Sequence, residues 1–470
     1  MSSIQQLLTQ DNPHIHILDI AGKLAMQEKI PAYVVGGYVR DTILGKPTND
    51  IDIMVEGDGV EFAKLLANKL KIDSLVTFDK FGTSMIPHHD LNIEIASARK
   101  ESYNSNSRKP IISSSSIAED MSRRDFTINA IAASITPNNF GELYDPYKGI
   151  QDLQKGIIIT PRDPDETFSD DPLRMLRAVR FAAQLEYNIA SNLLDSITRN
   201  IDRLKIISWE RIRDELIKSL STDKPSIAFY HMKDTGLLQH VFPELDIMSG
   251  VDIIDNKGHK DVFIHTLQVV DNAAKLSTKM EIRFAALVHD IAKPQTKRFD
   301  KKKGWTFHGH DEIGKRMMAK VAKRMKLSND LKHYLMLLTK LHLRPINLAM
   351  KGITDSAVRR VMLEAGEHIN DLMVLCRADI TTKNPHKIKK YMNNFERVED
   401  LINDVKLRDE MRAFQSPVKG KEIMEVFNLK PGKQVGKIKK TIENAILDGK
   451  IPNEYEAAYK FMKEIKITES

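Results

Sequence analysis

The chain has 470 residues, 41% of them hydrophobic, enough length for three or four domains and ample apolar content for globular cores. With 71 Lys+Arg against 64 Asp+Glu the net charge is +7, a mild bias toward a polyanionic partner. A single cysteine, Cys376, excludes an intrachain disulfide, and no apolar run nears the roughly 18 residues that a membrane-spanning helix needs. The polar start MSSIQQLLTQDNPH lacks the charged-then-apolar pattern of a secretory signal, so a reducing, cytoplasmic setting is expected.

In the first third, helical and strand periodicities alternate. HILDIAGKLAMQEKI reads as a helix, AYVVGG as a strand, YVRDTILG as a helix and DIDIMV as a strand; VEFAKLLANKL is again helical, and SLVTF and LNIEIASA are strands. The polar stretch ESYNSNSRKPIISSSS at 101–116 reads as a mobile loop inside this unit, because YDPYKG beyond it belongs to the same fold. From 170 onward strand signals nearly vanish and helices follow one another, among them DPLRMLRAVRFAAQL, WERIRDELIKSL, FIHTLQVVDNAAKL and EIRFAALVHDIA. Turn-rich joints are expected at 159–172, 248–260 and 412–420.

The span 34–55, VVGGYVRDTILGKPTNDIDIMV, carries chemistry. Side chains alternate across a strand, so Asp50 and Asp52 share one face and Ile51 and Ile53 the other. Two carboxylates side by side repel unless a cation lies between them. Mg²⁺ takes carboxylate oxygens and keeps positions for phosphate and water. Gly36 and Gly37, between strand and helix, would let backbone N–H groups approach phosphate, with Arg40 adding a charge-assisted contact fixed by Asp41. Alone, a GG pair is usually a turn and a DxD a solvated strand edge; their order here is far more specific.

GGYVRD followed by NDIDIMV resembles the nucleotidyltransferase superfamily in the branch of tRNA CCA-adding enzymes and bacterial poly(A) polymerases. EDMSRRDFTINAIA at 119–132, LYDPYKGIQDL at 143–153, DDPLRMLRAVRFAAQLEY at 170–187 and ERIRDELIKSL at 210–220 agree, so the resemblance covers nearly the whole chain. It implies an α+β head of the polymerase-beta type with Mg²⁺ on Asp50 and Asp52, followed by an all-helical body. Arg123 and Arg124 offer guanidinium forks beside Asp125 for triphosphate or for ordering the metal site, the alternative being a surface salt bridge. Asn129 is a candidate for a ribose hydroxyl and Glu94 for a third acidic group.

Asp171 and Arg174 lie three apart, with Asp170 and Pro172 read as helix-start residues. A carboxylate accepts from the exocyclic amine of cytosine or adenine, a guanidinium donates to the adjacent ring acceptor, and uracil and guanine present a carbonyl instead. The pair would thus select CTP and ATP without a template; the plainer alternative is a helix cap with a local ion pair. The family commonly has Glu-Asp-x-x-Arg here, and this chain has Asp170 at the first position. Arg177 and Arg180 continue a stripe toward triphosphate or RNA backbone.

Further along, His265, His289-Asp290, His310, His342 and Asp379 stand on separate predicted helices, a set that resembles the HD phosphohydrolase superfamily. The resemblance implies a divalent metal on His265, His289, Asp290 and Asp379, with His310 and His342 available to a second ion. The centre would either hydrolyse phosphate at RNA ends or keep metal for structure. Lys430, Lys433, Lys437, Lys439 and Lys440 crowd a turn and the helix after it, suited to RNA phosphates or simply a solvated face.

The expected organisation is a nucleotidyltransferase head at 1–160, a neck at 161–250 for nucleotide selection and RNA binding, an HD domain at 251–410 and an RNA-holding tail at 411–470. The expected activity is addition of CCA to tRNA from CTP and ATP. A poly(A) polymerase, an A-adding specialist and an HD phosphohydrolase acting on RNA ends are the rivals; the HD set and the tail argue against the first.

Overall fold

Isoleucines and aspartates alternate along the strand Asp50–Val55, and the computed structural model shows what each face of that strand meets. Residues 3–465 are described, apart from 11, 49, 80–81, 89–90, 105–106, 256, 350–352, 414–415 and 448–449. The strands of the first third are β1 (Ala32–Val35), β2 (Asp50–Val55), β3 (Val76–Phe78), β4 (Thr83–His88), β5 (Leu91–Ser97), β6 (Arg99–Asn104), β7 (Ser107–Ser114), β8 (Ala132–Ser134) and β9 (Leu143–Tyr144). Seven of them make one sheet in the order β3-β4-β5-β2-β1-β8-β9, with β2 and β5 parallel and the other neighbours antiparallel.

One face of β2 presents Ile51, Ile53 and Val55 to a core shared with Phe62, Ala63 and Leu66 of the helix Gly59–Leu70 and Leu18 and Ala21 of the helix Ile15–Glu28. Period-two alternation then forces Asp50, Asp52 and Met54 to the other face. There Met54 packs with Val35, Ile117 and Met121, which leaves the aspartates at the edge of a recess.

By compactness the chain divides into Met1–Arg344 with Glu367–Ile388, and Pro345–Gly366 with Lys389–Ser470. In the first unit a continuous apolar core runs from the sheet through the helices Leu173–Leu185, Trp209–Leu220, Ser226–Asp234, Val262–Leu276 and Met280–Val288 to Leu375 and Ala378. The second unit has its own small core of Val418, Ile423, Ile438, Ile442, Ala458 and Met462. No helix among the described residues is long and apolar enough to cross a membrane.

Three local expectations are corrected. The stretch read as a loop pairs instead as the antiparallel hairpin β6–β7, because a ladder satisfies backbone groups whatever the polarity of the side chains. Within 159–172 there is a helix, Pro164–Asp170, capped by Asp163, whose side chain accepts from the backbone N–H of Asp165 and Glu166. Asp170 therefore ends a helix rather than starting one and pairs with Arg162, while Asp171, forced extended before Pro172, precedes the helix Leu173–Leu185. The helical body also carries short strands: β10 (Ile157–Ile158) pairs with β11 (Asn188–Ile189), β12 (Ile253–Ile254) with β13 (Lys257–Gly258), and β14 (Arg298–Asp300) with β15 (Gly304–Thr306).

A chain of buried polar groups ties the sheet to the helices. Arg40 donates to both oxygens of Asp41 at 2.9 and 2.6 Å and to Asn129 Oδ1 at 2.7 Å. The Asn129 amide donates to Asp125 Oδ1 at 3.0 Å, and Arg177 of the helix Leu173–Leu185 donates to Asp125 Oδ2 at 2.8 Å. One turn further on, Arg180 donates to Glu215 of the helix Trp209–Leu220 at 2.7 Å. The side chain of Phe181 lies against the Arg180 guanidinium, 3.9 Å from its ring centroid.

Burial works to raise the Asp125 carboxyl, but Arg177, Asn129 and Arg174 together hold it at about 2, below the ordinary 3.8. A carboxyl depressed on folding contributes stability above its unfolded value, here about 2 kcal/mol, which is lost as the pH falls from about 4 through 2. In urea unfolding followed from pH 7 to 2, Asp125→Asn is expected to be less stable than the parent at pH 7, with the gap closing toward pH 2. A gap that does not change with pH would show that this ion pair is not its source.

Candidate active site and histidine centre

The recess on the aspartate face is a cavity of ≈ 400 Å³ whose lining includes the carboxylates Asp52, Glu94, Asp120, Asp125 and Asp171 and the guanidiniums of Arg123, Arg124, Arg174, Arg177 and Arg211. Asp52 and Glu94 are register partners on the parallel strands β2 and β5, as are Asp50 and Asn92. Asp50 is exposed at the start of its strand and accepts from the Asn92 amide at 3.3 Å. Burial first, then repulsion from Glu94 and Asp50, pushes the Asp52 carboxyl up to about 6, against the pull of Arg124 and Arg40. Such an excess of negative charge, with oxygens on one strand face, fits a hard divalent cation.

Gly36 has φ +65°, a conformation only glycine adopts freely, and a Cβ there would lie 2.8 Å from Arg124 Nη1 and 3.8 Å from Asp52 Oδ2. It thus lets Arg124 close over the strand end. Its N–H continues the sheet by donating to Ile131 at 3.0 Å, so of the pair Gly36 and Gly37 the first has no N–H to offer a phosphate. Gly37 starts the helix Gly37–Ile43. Arg123 and Arg124 both reach Asp120, at 2.5 and 3.1 Å, and Arg124 also donates to the Asn129 carbonyl at 3.3 Å. Arg40 and Asn129 are buried in the polar chain described above, and Arg180 stands behind the cavity on Glu215 rather than among its lining residues.

Asp171 and Arg174 both line the cavity but are not bonded to each other through their side chains. Arg174 donates to the Arg123 carbonyl at 2.7 Å, and Asp171 accepts from Arg211 at 2.7 Å. Arg211 and Asp120 were not singled out by sequence reasoning. ERIRDELIKSL marks the first only as part of a motif, and helical spacing from Trp209 puts Arg211 on the face opposite Ile212 and Leu216 only once the packing is known. Asp120 stands three and four residues before the two arginines, a spacing that could have revealed it.

The six HD residues converge. His265 Nε2 lies 3.0 Å from Asp379 Oδ1 and 3.5 Å from Asp290 Oδ2; His289 Nε2 lies 3.1 Å from the same Asp290 oxygen. The other oxygen, Oδ1, is 3.3 Å from His310 Nε2 and 3.8 Å from His342 Nε2. Ligand atoms of His265, His289 and Asp379, and of Asp290, His310 and His342, each gather within 4.8 Å, so Asp290 stands between two groups with one oxygen toward each. Backbone carbonyls of Ala286, Phe307 and Thr339 face Nδ1 of His289, His310 and His342, and Thr381 Oγ1 faces that of His265, which aims every Nε2 inward. His289 Nε2 is buried without a hydrogen bond. His342 is lowered to about 4 by burial and by His289, which keeps its imidazole neutral. Four Nε2 atoms converging beside two carboxylates fit a divalent metal.

In the second unit, Lys433, Lys437, Lys439 and Lys440 lie on the helix Lys433–Leu447 and Lys430 just before it; all are exposed except Lys439, which is half-buried.

Residues 32–159 match the family described as Poly A polymerase head domain, 186–248 the probable RNA and SrmB-binding site of polymerase A, and 262–384 the HD domain. A Multifunctional CCA protein of Chromobacterium violaceum is 32% identical over 359 residues, 74% of this chain and 83% of that one. An A-adding tRNA nucleotidyltransferase of Geobacter sulfurreducens is 32% identical over 275 residues, 58% of this chain and 29% of that one. The fold is shared with a solved tRNA nucleotidyltransferase complexed with a primer tRNA and an incoming ATP analog, at a TM-score of 0.58 and 23% identity, covering 81% of this chain and 99% of that one. An α+β nucleotidyltransferase head, its helical continuation and an HD domain, in one chain with relatives at this identity, are conclusive: the chain belongs to the CCA-adding tRNA nucleotidyltransferase family, with an HD domain.

Proposed function

We propose that this enzyme, acting in the cytoplasm, completes the 3′ end of tRNA by adding CMP and AMP from CTP and ATP. The observation that carries the proposal is that the strand carboxylates Asp52 and Glu94 and a set of five guanidiniums line one cavity. In each addition the tRNA 3′-hydroxyl oxygen bonds to the α-phosphorus of the nucleotide, the bond to the β-phosphate oxygen breaks and pyrophosphate leaves. The hydroxyl proton passes to a carboxylate of the cluster. Asp50 and Asp52, with Glu94 beside them, would hold Mg²⁺, which when bound lowers the pKa of an attacking hydroxyl and steadies a pyrophosphate leaving group.

The chain's own residues orient the reactants. Arg123 and Arg124, fixed by Asp120, bind the triphosphate, and Gly36 and Gly37 keep the strand end clear beside Asp52. Asp171 accepts from the exocyclic amine of cytosine or adenine and Arg174 donates to the neighbouring ring acceptor; Arg211, at 2.7 Å, holds Asp171 in place. Arg177 holds the neck helix on Asp125, and Arg40, Asn129 and Arg180 hold the frame behind it. We assign 1–160 to the head, 161–250 to the neck, 251–410 to the HD domain and 411–470 to a tail whose lysines, 430, 433, 437, 439 and 440, neutralise tRNA phosphates.

A second activity is favoured by the histidine centre, whose two ligand groups share the Asp290 carboxylate between them. We read it as a metal-dependent phosphohydrolase, in which water adds to phosphorus and the ester P–O bond breaks. His265, His289, Asp290 and Asp379 would hold one divalent ion and His310 and His342 would serve a second.

Incubation of tRNA transcripts ending at the discriminator base, at C and at CC with labelled CTP and ATP is expected to give CCA on all three. Addition of A to the CC transcript alone would mean an A-adding specialist, and long A tracts a poly(A) polymerase. Asp52→Asn is expected to lower addition by about 10³-fold or more. Because the folded state favours the protonated Asp52, stability without metal falls as the pH rises from about 4 to 6; the variant should melt no lower than the parent in chelator at pH 7.5. A large fall in Tm would make Asp52 a structural residue. Asp171→Ala should reduce discrimination against UTP and GTP by about 10- to 100-fold in competition assays while Arg177→Ala lowers stability first. His289→Ala should lose bound divalent metal by elemental analysis and retain nucleotide addition; unchanged metal content would remove His289 from the ligand set.

A further inference from the structure

We propose that the β14–β15 hairpin, with His259, forms a platform beside the histidine centre that takes a nucleobase of single-stranded RNA. This deepens, and rests on, the reading of that centre as a phosphohydrolase: the base stacks on the platform while the phosphate of the same RNA end lies at the metal ligands.

The platform begins at the centre itself. Lys293 Nζ lies 2.5 Å from Asp290 Oδ2 and 5.7 Å from the ring centroid of Phe307, and the Phe307 carbonyl faces Nδ1 of His310 at 2.7 Å. One residue thus touches the metal ligands through its backbone and opens a row of rings with its side chain. The His259 ring follows at 5.9 Å from Phe307 and 5.4 Å from Trp305, and Phe299 lies 5.3 Å from Trp305. Lys297, whose ammonium is paired with Asp252, stands over the Trp305 ring at 5.4 Å. Large apolar rings ordinarily go to a core, yet Phe299, Trp305 and Phe307 are only half-buried, and among the described residues none joins the apolar cores of the two units.

The charge around the rings points to the occupant. The hairpin segment 297–303 reads KRFDKKK, five basic residues and one acid, and Arg298, Lys301, Lys302 and Lys303 are exposed. Its one acid is used locally, Asp300 Oδ1 accepting from the backbone N–H of Lys302 and Lys303 at 2.8 and 2.7 Å. Rings interleaved with cations are what a single strand needs, since each base has a free π-face and each linkage a negative phosphate. A duplex hides those faces, and an acidic peptide would use the lysines but not the row of rings. The continuity of the row with Lys293 and Asp290 places the bound strand with its end at the chemistry.

The chain has two tryptophans, Trp209 and Trp305, so Trp209→Phe leaves Trp305 as the sole tryptophan, excited selectively at the red edge where the tyrosines do not absorb. That full-length protein is titrated with a single-stranded hexanucleotide carrying a 3′-phosphate, with the same strand annealed to its complement, and with ribose 5-phosphate. The single strand is expected to quench Trp305, the duplex and the sugar phosphate much less. In parallel, hydrolysis of the hexanucleotide 3′-phosphate and of base-free 4-nitrophenyl phosphate is measured with divalent metal supplied. Trp305→Ala should lower kcat/KM for the hexanucleotide by about 10-fold or more, the worth of one stacked base, and leave 4-nitrophenyl phosphate unchanged. Trp305→Phe, which keeps a ring, should recover most of the loss, separating stacking from a failure of the hairpin to fold. Absence of quenching by the single strand overturns the platform, as does an equal effect of Trp305→Ala on both substrates. Quenching without hydrolysis of either substrate by the parent leaves the platform standing as an RNA site and overturns the phosphohydrolase reading alone.

Discussion

The ion pair between Asp125 and Arg177 is the joint on which the arginine-lined cavity depends. Asp125 follows the double arginine at the sheet's edge, and Arg177 projects from the helix Leu173–Leu185, so their 2.7 Å contact sets the helix against the sheet. A buried charge left without its partner costs several kcal/mol, so each member of the pair enforces the position of the other. The chain of contacts continues on both sides, to Asn129, Arg40 and Asp41 in one direction and to Glu215 and Arg180 in the other. Signs alternate along it, which is why so many charges tolerate burial together. With the helix so held, Asp171 and Arg174 at its start line the same cavity as Asp52 of β2 and Glu94 of β5.

This arrangement sorts arginines that look alike in sequence into two kinds. Arg40 and Arg180 have their guanidiniums engaged by the half-buried Asp41 and the buried Glu215 and pack on Phe181 from 5.1 and 3.9 Å. Arg123, Arg124, Arg174, Arg177 and Arg211 keep a surface on the cavity even though each has protein partners. The carboxylates divide the same way. Asp125 is held ionised by its neighbours, whereas Asp52 is driven toward protonation because the nearest groups include Glu94 and Asp50. A carboxylate that the fold drives toward protonation is one that gains by binding a cation, and that contrast separates Asp52 from the carboxylates of the frame.

The histidine centre is built on a different logic. Its imidazoles sit on the ends of separate helices, His289 and His342 immediately after the last helical residue of theirs, where main-chain carbonyls are free to fix the tautomer. Burial keeps the ligating nitrogens dry, and Asp290 offers one oxygen to each group. The two centres thus occupy one continuous core, the first opening on a sheet face and the second inside a helix bundle.

Much of this was legible from residue order. Alternation in DIDIMV placed Asp50 and Asp52 on one strand face, because the pleat leaves no other choice, and the apolar spacing of RMLRAVRFAAQL marked its helix. The HD set announced a shared centre because histidines and aspartates of that order rarely accumulate by chance. What only the tertiary structure decided are the partners. Glu94 became a neighbour of Asp52 through a parallel register between strands 42 residues apart in their pairing of Asp50 with Asn92, and Arg211 reached Asp171 across 40 residues. The hairpins β6–β7 and β14–β15 escaped notice because their polar sequences carry little apolar period, and strand pairing is a property of two segments rather than one. Local periodicity determines which way a side chain points; which charge it then meets depends on packing, and packing turned Arg40 and Arg180 into framework while leaving Arg174 and Arg211 on the cavity.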